Sequence, residues 1–348
     1  MRSSISDLSR SGSISVLPDY FIDRFVKIQA IDEFMVAIKT KSTEGGGGSL
    51  RGITQREVKG GNAVNVAYAL GKFGAQVKLL AIAESLAADT LRATFEPFPN
   101  VRLEIIPGKN GLTIALEFFE HGRHTNVMVS DTGSLAEFDG SAIPYNTLRS
   151  ISSAKIVSVL NWAANNKGTE LCSNVYSSAK EQGALTFFDP ADIAQLAHNI
   201  PKLKKEIFDR GLLDYMSIND NELRILCKVL SNFVLPQDYS EDDLRLAVRL
   251  ISDTSQATVD LHTKSMSLTC RSKDCLMVPC HKVEQKIVTG AGDVWDAADI
   301  VGHLLSWESE ERLRFANAAA GLYVSREDAE TPSLNDILDF IQKNGEFY

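Results

Sequence analysis

Gly290 and Gly292 flank Ala291, and Asp293 follows directly. Glycines at this spacing let the backbone turn sharply and present bare N–H groups. The apolar positions Val294, Ala298, Val301 and Leu305 then predict an amphipathic helix beginning at the turn. Free amides and the positive end of the helix dipole converge at such a terminus and favour an anion. An anion hole beside a carboxylate is chemistry for moving a phosphoryl group to a hydroxyl, with Asp293 taking the hydroxyl proton. A plain loop followed by an ordinary first-turn acid has the same spelling. The reading therefore depends on what the rest of the chain supplies.

Other stretches offer polar groups of the right kind. Gly60 and Gly61 feed a helical pattern that closes at Gly74, and Asn62 and Asn65 can share one face of its first turn. Gly61 permits close backbone approach to a ligand, and the two amides can meet its hydroxyls, although Asn62 reads equally as a helix cap. Asp23 follows the first apolar strand, where a carboxylate can accept hydrogen bonds from two vicinal hydroxyls; Asp19 is its neighbouring competitor. Asn219 and Glu222 spell N-x-x-E, the pattern of a capping box at a helix start, and both carry oxygens of the kind hard cations take. His121, Arg123 and His124 cluster at a turn, where they could meet an acceptor phosphate, an adjacent subunit or solvent. The four glycines at 45–48 could cradle phosphate, but no Lys-Ser/Thr pair or helix start follows, which argues against a P-loop and leaves a hairpin tip.

Strands and helices must bring these distant stretches together. Residues 13–17 alternate as a strand, 28–39 contain β-like stretches, 50–58 form an extended run, and 77–82, 101–106 and 113–119 read as further strands. From residue 150 the pattern alternates: strand 156–160, helix 169–182, strand 185–188, a helix through 203–208, strand 215–218 and helix 241–251. Strands at 266–269 and 276–283 and a final helix at 334–342 complete the pattern. Such alternation argues for a parallel sheet with helices on both faces and ligands at the carboxyl ends of the strands. Asn161, with Trp162 as packing, and the 189–192 segment that opens on Asp189 then face the cleft.

Length and charge narrow the class. A chain of 348 residues with 44% hydrophobic and 23% charged side chains can bury a substantial core. A net charge of -9 argues against nucleic-acid and membrane-surface partners. No run of 18 apolar residues occurs, and residues 1–12 read as a polar extension without the apolar core of a signal peptide, so a cytoplasmic protein is expected. Five cysteines form no C-x-x-C pair; Cys270, Cys275 and Cys280 recur every five residues, which fits neither zinc spacing nor a secreted framework, and all are expected reduced.

The stretch from Ile287 to Asp293 resembles D-T-x-G-A-G-D, the C-terminal signature of the ribokinase-like (PfkB) carbohydrate and nucleoside kinases, departing only at Ile287 and Val288. The stretch from Gly60 to Gly74 resembles the N-terminal signature of that family, and Asn219 to Glu222 its N-x-x-E motif. The resemblance implies a three-layer α/β/α core with a mostly parallel sheet spanning 13–348. A small β lid is expected from segments near 27–58 and 113–130, covering the acceptor and often pairing two subunits into a homodimer. It also implies roles. Asp293 is the base and Gly290, Ala291 and Gly292 the anion hole; Asp23, Gly61, Asn62, Asn65 and Arg123 bind the acceptor. Asn219, Glu222, His262, Thr289 and Asn317 lie on the nucleotide side, Asn219 and Glu222 organising Mg2+ through water. Small residues around Asn317 would pack beside the nucleotide base. Departures occur at 83–89, which lacks the glycines of relatives, and at Asp260 and His262, which replace the expected Thr and Gly of a phosphate contact.

The expectation is a magnesium-dependent kinase that moves a phosphoryl group from ATP, with ADP as the alternative donor, to a hydroxyl of a sugar, sugar phosphate or nucleoside. A catalytically silent sugar- or nucleotide-binding regulatory protein of the same fold is the alternative. A Rossmann dehydrogenase is excluded, because no G-x-G-x-x-G follows the first strand.

Overall fold

Mostly apolar runs such as Ile156–Leu160, buried along their whole length, form strands covered on both faces, as parallel sheets require. The computed structural model describes residues 5, 7–43, 46–120, 123–287 and 289–344, the side chains at 123 and 124 excepted. In chain order the strands are β1 (Ser13–Leu17), β2 (Phe21–Lys27), β3 (Gln55–Gly60), β4 (Gln76–Ala83), β5 (Val101–Pro107), β6 (Gly111–Glu120) and β7 (Arg123–Asp131). They continue as β8 (Ile156–Leu160), β9 (Leu185–Asp189), β10 (Tyr215–Asn219), β11 (Thr258–His262), β12 (Met266–Arg271) and β13 (Asp274–Pro279).

The larger sheet has the order β13-β12-β11-β10-β9-β8-β1-β4-β5. It is parallel from β5 across to β11, and β12 and β13 close one edge antiparallel. The Asn62–Phe73, Ala291–Leu304 and Ser309–Val324 helices pack with Ile14, Val16 and Leu79 on one face. Those at Gly168–Glu181, Asp220–Ser231 and Glu241–Ser255 pack with Leu17, Val157 and Val159 on the other. This is the three-layer ribokinase-like architecture expected. No helix among the described residues is long and apolar enough to cross a membrane.

The smaller sheet, ordered β3-β2-β6-β7, departs from its expected bounds. β2 occupies 21–27, and Ile31–Thr43 is a helix where β-like stretches were expected. Ile31 and Phe34 pack under the sheet with Val26, Ile28 and Phe118, and Asp32 and Glu33 at the start with Lys41 at the end suit the helix dipole. These tertiary and end effects outweigh the β-branched residues between. The glycine run, of which Gly45 lies outside the described residues, therefore leads from a helix into β3 rather than capping a hairpin. At the N-terminus Ile5 and Leu8 join the core, so residues 1–12 are more than a polar extension.

The cysteine expectation also needs correction. Cys270 and Cys275 stand directly opposite each other in the β12–β13 hairpin, their Cα atoms 4.2 Å apart, and form a disulfide. The spacing of five that matched no metal site is a cross-strand register. Cys172, Cys227 and Cys280 are free.

Candidate active site

Asp19, just past β1, is fully buried and accepts the backbone N–H groups of Asn62 and Ala63 at 2.8 Å each and the Asn161 side-chain amide at 2.8 Å. It caps the Asn62–Phe73 helix and ties β1 to the residue after β8. Gly61 is required here: its φ is +93°, and a Cβ on it would lie 2.8 Å from the Asp19 carboxylate. Burial raises the Asp19 pKa to about 6 against the pull of those three bonds.

That helix delivers both asparagines. Asn62 donates its side-chain amide to Asp189, the last residue of β9, at 3.2 Å, and Asn65 donates to Asp293 at 2.9 Å. Asp293 thus sits at the start of the Ala291–Leu304 helix, held from the other signature. Burial pushes its pKa well above the carboxylate range, with the charges of Asp189 and Asp19 adding and Lys59 opposing. Asp189, Asp296 and Glu222 are likewise raised by burial, and the charge of Asp189 pushes Asp296 and Glu222 further up. Asp296 takes a 2.5 Å bond from Ser217 and lies within hydrogen-bonding reach of the Asp189 carboxyl.

The glycine turn has the geometry its spelling predicts. Gly290 is left-handed at φ +88°, and the Val294 N–H reaches the Gly290 carbonyl at 3.2 Å, which opens the helical ladder there. His262, ending β11, lies against Gly292, its ring carbon 3.5 Å from where a Cβ would be, and stacks on Trp295 with ring centroids 5.0 Å apart. Burial lowers its pKa to about 4, so it stands neutral beside the turn. Thr289 precedes the turn with its side chain toward Asn126 of β7, at 3.5 Å.

Asp23 faces β3, and Gly60 leaves it room, since a Cβ there would lie 2.1 Å from its carboxylate. Burial raises its pKa while a hydrogen bond from Thr113 opposes the rise. Asn219 and Glu222 form a complete capping box: Asn219 accepts the Glu222 N–H at 3.0 Å, and Glu222 accepts the Asn219 N–H at 2.8 Å and its amide at 2.6 Å.

Asn317, expected on the nucleotide side, and Asp260, a departure from the family pattern, both turn into the core. Asn317 is buried, accepting from Trp295 at 2.9 Å and donating to the carbonyls of Val278 and Pro279 at 3.4 and 3.3 Å, so its amide is spent inside the core. Asp260 points away from the turn into a buried ionic cluster. It binds Arg312 at 2.9 Å and His303 at 3.0 Å, and Arg312 also binds Asp299 and, at 3.0 Å, Thr269. Asp260, Asp299 and His303 have the spacing of metal ligands, but the Arg312 guanidinium already neutralises both carboxylates. His121, Val288 and the Arg123 side chain lie outside the described residues, while Ile287 packs against the core.

Sequence reasoning missed Lys59, Asp296 and Tyr323. Lys59 adjoins the glycine pair and stacks on Tyr68 at 4.0 Å, and Asp296 lies three residues beyond Asp293 on the same helical face, so both had a local signal. Tyr323 had none, because only the fold brings it to the turn.

The sequence matches the family described as pfkB family carbohydrate kinase over residues 27–336. No curated protein matches the chain. The fold is similar to that of Arabidopsis thaliana ribokinase, a structure complexed with ribose and ATP, with a TM-score of 0.70 and 18% identity over 95% of this chain and 99% of that one. An adenosine kinase from Sinorhizobium meliloti gives a TM-score of 0.69 and 15% identity over 96% and 99% of the two chains. For phosphofructokinase-2 from Escherichia coli the values are 0.66 and 19% over 96% and 99%.

Proposed function

From membership of the pfkB family of carbohydrate kinases, to which this chain belongs, we propose that it transfers a phosphoryl group from ATP to a hydroxyl of a sugar, sugar phosphate or nucleoside. The carrying observation is the 2.9 Å bond between Asn65 and Asp293 at the mouth of the glycine turn, which joins the two signatures into one site. The acceptor hydroxyl gives its proton to Asp293, its oxygen bonds to the γ-phosphorus, and the bond from that phosphorus to the bridging oxygen breaks as ADP leaves. The amides of Gly290 to Gly292 face the charge that develops. Neutral His262 adds a side chain beside them.

Buried oxygen donors at Glu222, Asp189 and Asp296, with the half-buried Asn219 beside Glu222, suit a hard divalent ion. Mg2+ held through water by Asn219 and Glu222 would neutralise phosphate charge. On that reading Glu222→Gln raises the magnesium requirement and lowers turnover about 10- to 100-fold. A drop in thermal stability with unchanged magnesium dependence would assign Glu222 to the cap alone.

The smaller sheet serves as the lid over the acceptor, with Asp23 on its inner face. Asp23→Ala weakens the acceptor about 10- to 100-fold, the worth of hydrogen bonds to a charged carboxylate, and leaves nucleotide affinity alone. Calorimetry with each ligand separately checks this, and equal losses for both would move the acceptor pocket elsewhere. Leu112, Ile114, Val127 and Val129 are exposed on the outer face of the sheet, which supports two subunits meeting there. The function itself is tested by a screen of polyols, sugar phosphates and nucleosides against ATP and ADP. Acceptor-dependent nucleotide consumption supports the reading; ligand binding without turnover would favour a silent regulatory protein.

A further inference from the structure

We propose that Thr289 is a positioning residue clasped between core and lid, so that the lid contact and the alignment of the anion hole form one unit; the role of that hole rests on the function proposed above. From the core, the Tyr323 hydroxyl donates to the Thr289 carbonyl at 3.0 Å. The same hydroxyl lies 2.7 Å from where a Cβ on Gly290 would sit, so it is packed against the first residue of the turn. From the lid, the Asn126 amide on β7 reaches the Thr289 hydroxyl at 3.5 Å.

The physical need for a clasp lies in Gly290. A glycine at φ +88° has no side chain to hold it there, and the peptide before it could rotate at small cost. A trans peptide points its C=O and N–H in opposite directions. Tyr323, by holding the Thr289 carbonyl on its own side, therefore turns the Gly290 N–H to the other. Releasing the carbonyl would let the peptide flip and put an oxygen where the phosphoryl group needs a donor. Asn126 binds the side chain of the same residue, so a lid displaced from the core pulls on the residue whose carbonyl sets the turn. Tyr323 is largely buried in the Ser309–Val324 helix and supplies the fixed end.

Tyr323→Phe and Asn126→Ala test the clasp by amide hydrogen exchange on the full-length, ligand-free chain, followed by steady-state kinetics. Loss of one hydrogen bond predicts about tenfold faster exchange at residues 290–293 in Tyr323→Phe. Faster exchange also appears in β7, and Asn126→Ala shows a smaller effect of the same sign in both segments. With an acceptor in hand, kcat falls about tenfold in Tyr323→Phe while KM for nucleotide stays within twofold. Faster exchange confined to the turn overturns the link to the lid, and unchanged exchange in both segments overturns the clasp. The Leu334–Lys343 helix is the control. Should it too loosen in Tyr323→Phe, the Asn126→Ala variant on the exposed strand decides. A wild-type protein with no phosphotransfer to any acceptor would refute the proposed function, and the exchange data would still judge the clasp.

Discussion

Asn in place of Asp293 leaves both ligands bound and lowers kcat by about 10²- to 10⁴-fold, the usual contribution of a positioned base. An asparagine oxygen can still accept from Asn65, so the geometry around the turn survives while the basicity is gone. The wild-type pH profile adds a second check. The base works only when ionised, and burial with the charges of Asp189 and Asp19 raises its pKa well above the carboxylate range. As pH falls, activity therefore begins to drop at a higher pH than an exposed aspartate would dictate. Turnover retained within about threefold in Asp293→Asn, or an acidic limb at the ordinary carboxylate position, would remove Asp293 from the role of base.

Arg312→Met produces the largest loss of stability, about 3–5 kcal/mol, since removing one partner of a buried ionic cluster strands the others. Asp260 and Asp299 would face each other fully buried with only His303 between them. The pH dependence has a definite sign. Burial alone would push Asp260 up, but the Arg312 charge and the His303 bond hold it well below the usual carboxylate range. A depressed folded-state pKa contributes stability that is present above the unfolded value and lost as pH falls through the folded one. In Arg312→Met that contribution vanishes, and ionised carboxylates become a burden. Urea unfolding should show the gap between variant and wild type widest at neutral pH and narrower in acid. A gap that stays constant with pH would mean the guanidinium acts by packing against Gly302 and not by charge.

Local pattern was enough for the turn at Gly290, the helix after Gly60 and the N-x-x-E cap, because the backbone bonds that define each close within a few residues, even though Asp19 and Tyr323 add bonds from far along the chain. It was also enough for the parallel sheet, whose central strands such as β8 and β9 are mostly apolar and alternate with helical patterns. Where two local preferences competed the pattern misled. Val36 and Ile38 suggested a strand, and the contacts of Ile31 and Phe34 with β2 and β6 made a helix. Long-range pairing was invisible. Nothing near Asp260 announces Arg312, 52 residues away, so a residue that aligned with a phosphate contact belongs to the core. Asn317 was misplaced for the same reason, as its partners lie on β13 and the Ala291–Leu304 helix. Cys270 and Cys275 became a pair only once the hairpin register was known.

The place of β1 in the sheet has a consequence for the order in which a growing chain can acquire structure. Ile14 lies between Val77 on one side and Ile156 on the other, so β1 leaves the ribosome before either of its two partners and must wait for both. Closing so long a loop costs entropy before its contacts return any stability, which makes such pairings slow. The bond between Asn65 and Asp293 spans 228 residues. A nascent chain can therefore bury most of its sheet and still lack the carboxylate on which turnover is proposed to depend, so activity recovered during synthesis or refolding should trail the gain of secondary structure.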